Sequence, residues 1–520
     1  MRSVLIFISV LIILCHVVPV QAQDLKDIAS QQPQYSAGPD LSRTIRDLAK
    51  FKLERDLRWN LKKSEEEEEK LSQPADDEKP QAPVASVFLK EVEFTESGVL
   101  SPEELQNFAA EYKNKDVSIS ELYNLVNKIN QWYRDRGYIT ALAVLPPQKI
   151  IDGKLKIVLV EGKVGRTLIQ GNVTTGSEYI NQRIRLPEGR LVSLKTLNKD
   201  LVWFNGTNDI KVKTRLQAGI EPGTTDYLLE ILEPKETVCS IFMDTAGSAS
   251  TGRTRSGISY TSNSFSGVRD SLNMTTMLSK TSRAGFINYT RPINRKGHKL
   301  SLYTTMNQLN VFQKDLNGFN IKGESRATGL TLTLPQVVRS RYREELIFDV
   351  QKQTSLNKVL GMIFVDDDEN RYSIGKSFMK MTPGEVLYCR PMFTYCHYEG
   401  LAGGKHDRKL VVDGVWQKAR IRGQLLNLKF TWQITDDDFL PSSDQFYLGG
   451  LYSVRGYDES ILGGDGGLNS KLDYYFPIKD FRSTQGNLFY DWGRIMGKSL
   501  LTTRMIHSVG FGFRHTFVND

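Results

Sequence analysis

Leu426-Asn427-Leu428-Lys429-Phe430-Thr431-Trp432-Gln433-Ile434 alternates apolar and polar side chains without a slip. In an extended chain, successive side chains point to opposite faces. One face therefore carries Leu426, Leu428, Phe430, Trp432 and Ile434, and the other Asn427, Lys429, Thr431 and Gln433. The same two-residue period recurs on either side. Leu330, Leu332 and Leu334 oppose Thr331 and Thr333. Leu346, Phe348 and Val350 oppose Ile347, Asp349 and Gln351. Near the C-terminus Val509, Phe511, Phe513, His515 and Phe517 oppose Ser508, Gly510, Gly512, Arg514 and Thr516. Only twelve of the 41 glycines lie before residue 236, so glycine density nearly doubles beyond it, as expected for a chain of many tight turns.

A soluble β-sandwich also alternates. However, residues 236–520 are long for one sandwich, and the apolar face stays rich in aromatics to the last strand. We expect a transmembrane antiparallel β-barrel. At roughly 18 residues per strand and connection it would have about 16 strands, inside the range of outer-membrane barrels. Closure leaves no unpaired backbone edge in lipid. The overall numbers are compatible with this. Lys and Arg total 68 against 60 Asp and Glu, a net charge of +8 over 520 residues. That excess is thin and unclustered, which sets nucleic acid aside. The mean hydropathy of −0.35 and the lack of any long apolar run after residue 22 exclude spanning helices, but not spanning strands.

Upstream, Arg2, the apolar run Val4 to Val18 and Val20-Gln21-Ala22 read as a secretory signal over residues 1–22. Residues 23–63 carry a helical pattern from Asp40, with Leu41, Ile45, Leu48, Leu57 and Leu61 on a narrow apolar face amid charged residues. Residues 64–84, with Glu65 to Glu69 and Pro74, Pro80 and Pro83, read as a solvated acidic linker. Two small α/β units follow, 85–162 and 163–235, each in the order β-α-α-β-β. In the first, Ser101 and Glu104 form a capping-box pattern, and a second helix carries Leu122, Leu125, Val126, Ile129 and Trp132 on one side.

Three cysteines remain after the signal: Cys239, Cys389 and Cys396. They make no disulfide framework. Cys389 and Cys396 lie too far apart on one straight strand to bond, and would come close only if Pro391 turned the chain between them. His397 beside Cys396 has no second pair to complete a metal site. Gly403-Gly404-Lys405-His406 lacks the residues of a phosphate-binding loop. No catalytic constellation stands out, and we expect neither enzyme activity, cofactor nor metal.

Several motifs are more specific. They are Arg136-Gly137-Tyr138-Ile139-Thr140 with Leu145-Pro146 and Asp152-Gly153; Asp244, Gly247, Thr251-Gly252, Asn263, Gly267 and Asp270; Leu448-Gly449-Gly450 before Val454-Arg455-Gly456-Tyr457; and Phe489-Tyr490-Asp491-Trp492-Gly493. With these, the chain resembles the outer-membrane transporters of two-partner secretion, the haemolysin secretion/activation family of the Omp85 superfamily. The resemblance implies two periplasmic POTRA modules, an N-terminal helix plugging the pore, and a long loop folded back into the barrel. That loop would be locked by Val454, Arg455, Gly456 and Tyr457 against Phe489, Asp491 and Gly493. Where the family usually ends on an aromatic residue, here Val518-Asn519-Asp520 follow Phe517.

It also implies a partner: one large secreted, TpsA-like exoprotein, an adhesin, cytolysin or contact-dependent toxin. That partner would be caught unfolded by POTRA 1, in part along the edge Thr140, Ala141, Leu142, Ala143, Val144 and Leu145. Outer-membrane lipid and, during biogenesis, the barrel assembly machinery are further expected partners, with the protein acting as a monomer in a Gram-negative outer membrane. An Omp85-type insertase and a passive porin are the alternative readings.

Overall fold

The computed structural model describes residues 86–248, 251–313, 319–401, 403–420, 423–478, 484–497 and 504–517. The signal, the linker and the helix carrying Leu41, Ile45, Leu48, Leu57 and Leu61 lie outside them.

In the first unit the expected strand Val87 to Phe94 is two strands, β1 (Ser86–Leu89) and β2 (Glu91–Phe94). β1 pairs with a short strand the alternation did not announce, β3 (Lys115–Ser118). α1 (Pro102–Ala110) starts at Ser101 with the expected capping box, and α2 (Ile119–Asp135) starts at Ser118 with a second one, closed by Glu121. β5 (Lys154–Glu161) is the central strand, parallel to β2 and antiparallel to β4 (Ala141–Val144). Leu122, Leu125, Val126 and Ile129 of α2 bury against this sheet. The second unit repeats the plan with β6 (Lys163–Gln170), α3 (Ser177–Asn181), α4 (Leu194–Thr207), β7 (Lys211–Ala218) and β8 (Thr224–Leu232). Its sheet order is β6-β8-β7.

Beyond it stands one antiparallel sheet. It comprises β9 (Thr237–Asp244), β10 (Arg255–Asn263), β11 (Ser271–Ser279), β12 (Ser282–Pro292), β13 (Lys299–Gln313), β14 (Phe319–Arg339) and β15 (Tyr342–Val359). It continues with β16 (Met362–Thr382), β17 (Glu385–Gly400), β18 (Gly403–Arg420) and β19 (Gln424–Thr435). The short hairpin β20 (Phe446–Leu448) and β21 (Leu462–Gly464) stands apart, and β22 (Gly466–Pro477), β23 (Thr484–Met496) and β24 (Met505–His515) complete the sheet. Each strand pairs with the next, and β19 pairs with β22 across the excursion 436–465. The sheet has 14 strands among the described residues rather than about 16. β14 and β16 each run to 21 residues, and the long excursion uses chain that the average had assigned to strands.

Polarity across this wall is inverted relative to a soluble protein. Ile241, Leu302, Leu330, Val350, Phe393, Val509, Phe511 and Phe513 are exposed, while Gln417, Asn427, Asp473 and Asp491 are buried on the other face. Apolar outside and polar inside is what lipid demands of a barrel. No helix among the described residues is long and apolar enough to cross a membrane. Turns at one end of the wall hold the second unit. Ser264 Oγ donates to Thr174 O (2.9 Å), Trp203 Nε1 to Lys296 O (3.1 Å) and Arg343 Nη1 to Gly206 O (2.8 Å). Arg269 pairs with Asp209. Counting strands from these turns puts 436–465 at the opposite end.

Cys389 and Cys396 both lie on β17 and are free. Pro391 does not turn the chain, since it sits within the strand opposite Val412.

Candidate functional site

The excursion 436–465 does not stay outside. Its own apolar residues Phe446, Leu448, Val454 and Leu462 bury with Ile495 of β23 and Ile506 of β24. The β20–β21 hairpin gives it a rigid stem. At its tip, Arg455 reaches Asp491 with three hydrogen bonds. Nε donates to Oδ2 (2.7 Å), Nη2 to Oδ1 (2.7 Å) and the backbone N–H to Oδ2 (2.9 Å). Its remaining arm donates to Asp473 on β22 (2.8 Å). The guanidinium also lies over the Phe489 ring, 3.7 Å from its centroid. Asp491 is fully buried, so this fork is shielded from water, where charge-assisted bonds are strongest. Tyr457 adds a hydrogen bond from its hydroxyl to His507 O (3.2 Å).

The two glycines of the motif pair serve different ends. A Cβ at Gly493 would lie 2.5 Å from Leu448 Cδ2, so glycine there admits the loop's apolar stem. At Gly456 nothing lies within 4 Å, and the requirement is conformational: φ is +90°. The structure thus brings Val454, Arg455, Gly456, Tyr457, Phe489, Asp491 and Gly493 into one place.

It also shows an anchor that the motifs did not. Asp444, near the loop's start and 1% exposed, accepts from Arg371 Nη2 on β16 (2.6 Å), from Lys409 on β18 and from the Tyr398 hydroxyl on β17. Gln433 Nε2 donates to the carbonyls of both Asp444 and Asp465, each at 2.8 Å. The loop is therefore pinned to two separate stretches of wall, β16–β18 and β22–β23. Glu369, Cys396 and Asp444 converge closely enough to suggest a metal site. Arg371 and Lys409 already bring two positive charges to that cluster, which suits a salt-bridge network rather than a cation. The only sequence cue for Asp444 was an acidic residue shortly before an aromatic and a glycine pair.

The expected edge residues are placed differently. Thr140 lies outside β4 and donates from Oγ1 to Gly162 O (3.0 Å), while Leu145 packs on the core of the first unit. Ala141 and Ala143 are buried, and Leu142 and Val144 are exposed. β4 is an outer strand, but the outward backbone groups of Ala143 are bonded to the Asn130 side chain.

The family model of the POTRA domain, ShlB-type, matches residues 87–162. That of the haemolysin secretion/activation protein ShlB/FhaC/HecB matches 406–515, the segment holding both halves of the Arg455–Asp491 pair. Both matched segments thus carry domains of the two-partner secretion transporters. The chain is 23% identical to the heme/hemopexin transporter protein HuxB of Haemophilus influenzae (strain 86-028NP), over 79% of this chain and 77% of that one. It is 22% identical to the outer membrane transporter CdiB of Dickeya dadantii (strain 3937), over 73% and 70%. Its fold is that of CdiB from Escherichia coli, with TM-score 0.62 at 16% identity, covering 91% of this chain and 92% of that one. CdiB from Acinetobacter baumannii gives 0.61 at 19% identity, over 92% of each. This transporter resides in the outer membrane with its POTRA units in the periplasm. The end of the barrel that holds the second unit is therefore periplasmic, and the excursion 436–465 is an extracellular loop turned inward.

Proposed function

We propose that this transporter takes one large exoprotein, unfolded, from the periplasm and passes it through its barrel without nucleotide. The observation that carries this reading is the polar lumen occupied by a loop that ion pairs, not apolar packing alone, hold in place. An ion-paired loop has discrete partners to leave and regain, so it can vacate a conduit without unfolding the wall. The periplasm supplies no nucleotide, and folding of the exported chain outside would bias its movement outward. We take the work done to be transport rather than catalysis, and the transporter to act as a monomer. The charged helix carrying Leu41, Ile45, Leu48, Leu57 and Leu61 would suit a polar lumen as a resting plug on its acidic tether.

The test is co-expression with a large exoprotein from the same genome, one in an adjacent reading frame being the first choice. Appearance of that exoprotein in the medium, and its retention in the periplasm when the transporter is absent, is the expected outcome. Equal export without the transporter would overturn the reading. A strand-exchange assay on outer-membrane protein folding, expected to be unaffected by this chain, separates it from an insertase.

A further inference from the structure

In each POTRA unit the strand that follows the second helix is an outer strand, β4 in the first and β7 in the second. An outer antiparallel strand points the N–H and C=O of every second residue away from its sheet. Those groups are what a passing extended chain pairs with.

In β4 three of the four are taken. The Ala143 N–H donates to Asn130 Oδ1 (2.6 Å), and its carbonyl accepts from Asn130 Nδ2 (3.1 Å). The Ala141 N–H donates to Tyr138 O (3.1 Å). A side-chain amide thus stands where a neighbouring strand's peptide would stand. The second unit repeats the device. The Val212 N–H donates to Asn205 Oδ1 (2.7 Å), and Asn205 Nδ2 donates to Val212 O (3.0 Å). Asn130 lies on α2 and Asn205 on α4, the equivalent helices.

The two edges differ in what lies beyond the clamp. β4 ends at Val144, but β7 continues to Ala218. Its unbroken register with β8, from Val212 opposite Ile231 to Ala218 opposite Thr225, puts Thr214, Leu216 and Ala218 in the outward phase of Val212. Among the described residues their backbone groups have no hydrogen-bond partner. The strand's two faces are unlike: Leu216 is 38% exposed on the face of buried Val212, while Lys213 and Arg215 occupy the other.

We propose that Thr214–Ala218 is the strand on which an extended segment of the exported chain docks, adding to the sheet with Asn205 as the stop that fixes its register. This rests on the transport reading above. The segment it fits alternates apolar residues toward Leu216 with neutral or acidic residues toward Lys213 and Arg215. A second copy of β7 fits worse, because antiparallel pairing would bring basic side chains close to one another. By the same geometry the edge of POTRA 1 becomes available only when Asn130 leaves.

The test uses the full-length transporter in detergent and a fluorescein-labelled decapeptide alternating Val with Thr and Glu. One peptide is expected to bind per transporter. Leu216→Pro deletes an outward N–H, while the ladder to β8 runs through Arg215 and Gln217. It should weaken binding about tenfold, the scale of one hydrogen bond. Asn130→Ala should raise the stoichiometry toward two. Independently of any variant's stability, a photo-crosslinker at position 217 should capture the peptide and one at position 142 should not.

Unchanged affinity in Leu216→Pro, capture from position 142 alone, or capture of a second transporter instead of the peptide would each overturn the proposal. Export separates this from the transport reading. If Leu216→Pro exports the exoprotein as the unaltered chain does, this docking strand falls and transport stands. If the unaltered chain exports nothing, the transport reading falls.

Discussion

Arg455 shows how much one side chain can be asked to do in a wet lumen. It serves two carboxylates and an aromatic ring, and both carboxylates are buried. Arg455→Ala leaves Asp491 and Asp473 without their cation, and Asp491→Ala leaves the guanidinium half-served. Removing one partner of a buried pair costs roughly 3–5 kcal/mol, enough to free the loop tip. Either change should cut export strongly, while the barrel still inserts and keeps its heat-modifiable mobility on gels. Export at the unaltered level would refute the lock. Asp444→Asn should act similarly at the β16–β18 anchor, because Arg371 and Lys409 would then face a neutral amide.

These two residues were unequally legible. Arg455 sits in a recognisable tip, and the matching Asp491 motif lies a short distance on. Asp444 is joined to residues on three strands, the farthest being Arg371, 73 positions upstream. No local pattern encodes such a meeting, because register over several hairpins creates it.

At the scale of elements, alternation was a dependable guide to which face looks where, and a poor one to where strands stop. The face read from Leu426 to Ile434 has its polar members Asn427 and Gln433 buried in the lumen. In contrast, Val87 to Phe94 reads as one strand, yet the chain breaks at Lys90, whose N–H bonds to Gly153 O (2.8 Å). The Asn130 clamp was equally hidden: a lone asparagine on a helix looks like a surface residue until the fold brings Ala143 to it. Asn130→Ala strands two buried backbone groups and should destabilise POTRA 1 by about 1–3 kcal/mol, measurable as a shift in the urea midpoint of its tryptophan signal.

The junction between POTRA 2 and the barrel has its own chemistry. Burial pushes the Glu233 carboxyl up, but hydrogen bonds from Thr175 and Thr174 outweigh it and hold the group below its usual range. The Thr174 N–H and hydroxyl lie 2.9 and 2.8 Å from Glu233 Oε2. Thr174 O in turn receives Ser264 of the barrel. A carboxyl lowered in the folded state stabilises it above the unfolded value near about 4.3. That contribution is lost as pH falls through the lowered folded value. Spin labels on POTRA 2 and on the barrel rim should therefore give a narrow distance distribution at pH 7 that broadens below about pH 4. Glu233→Gln should be broad at both.

For the whole molecule, the two mixed modules and the strand-rich region after them were legible because each has its own texture, while the helical pattern and acidic linker expected before them lie outside the described residues. The strand count was not, because an average length cannot anticipate one long loop set among strands of uneven length. The helical pattern expected before the linker offers a test at this scale. Removing residues 24–63 should raise ion conductance in planar bilayers, and conductance equal to that of the intact chain would refute a resting plug.

The loop at 436–465 is fastened like a strap with two buckles, Asp444 at β16–β18 and Arg455 at β22–β23. Undoing either leaves the strap hanging from its other fastening, so the bore has two distinct half-cleared shapes as well as a fully cleared one. Single-channel recordings should then show two unequal sublevels. Asp444→Asn should enrich one and Arg455→Ala the other, and the double variant should spend most of its time at the highest step.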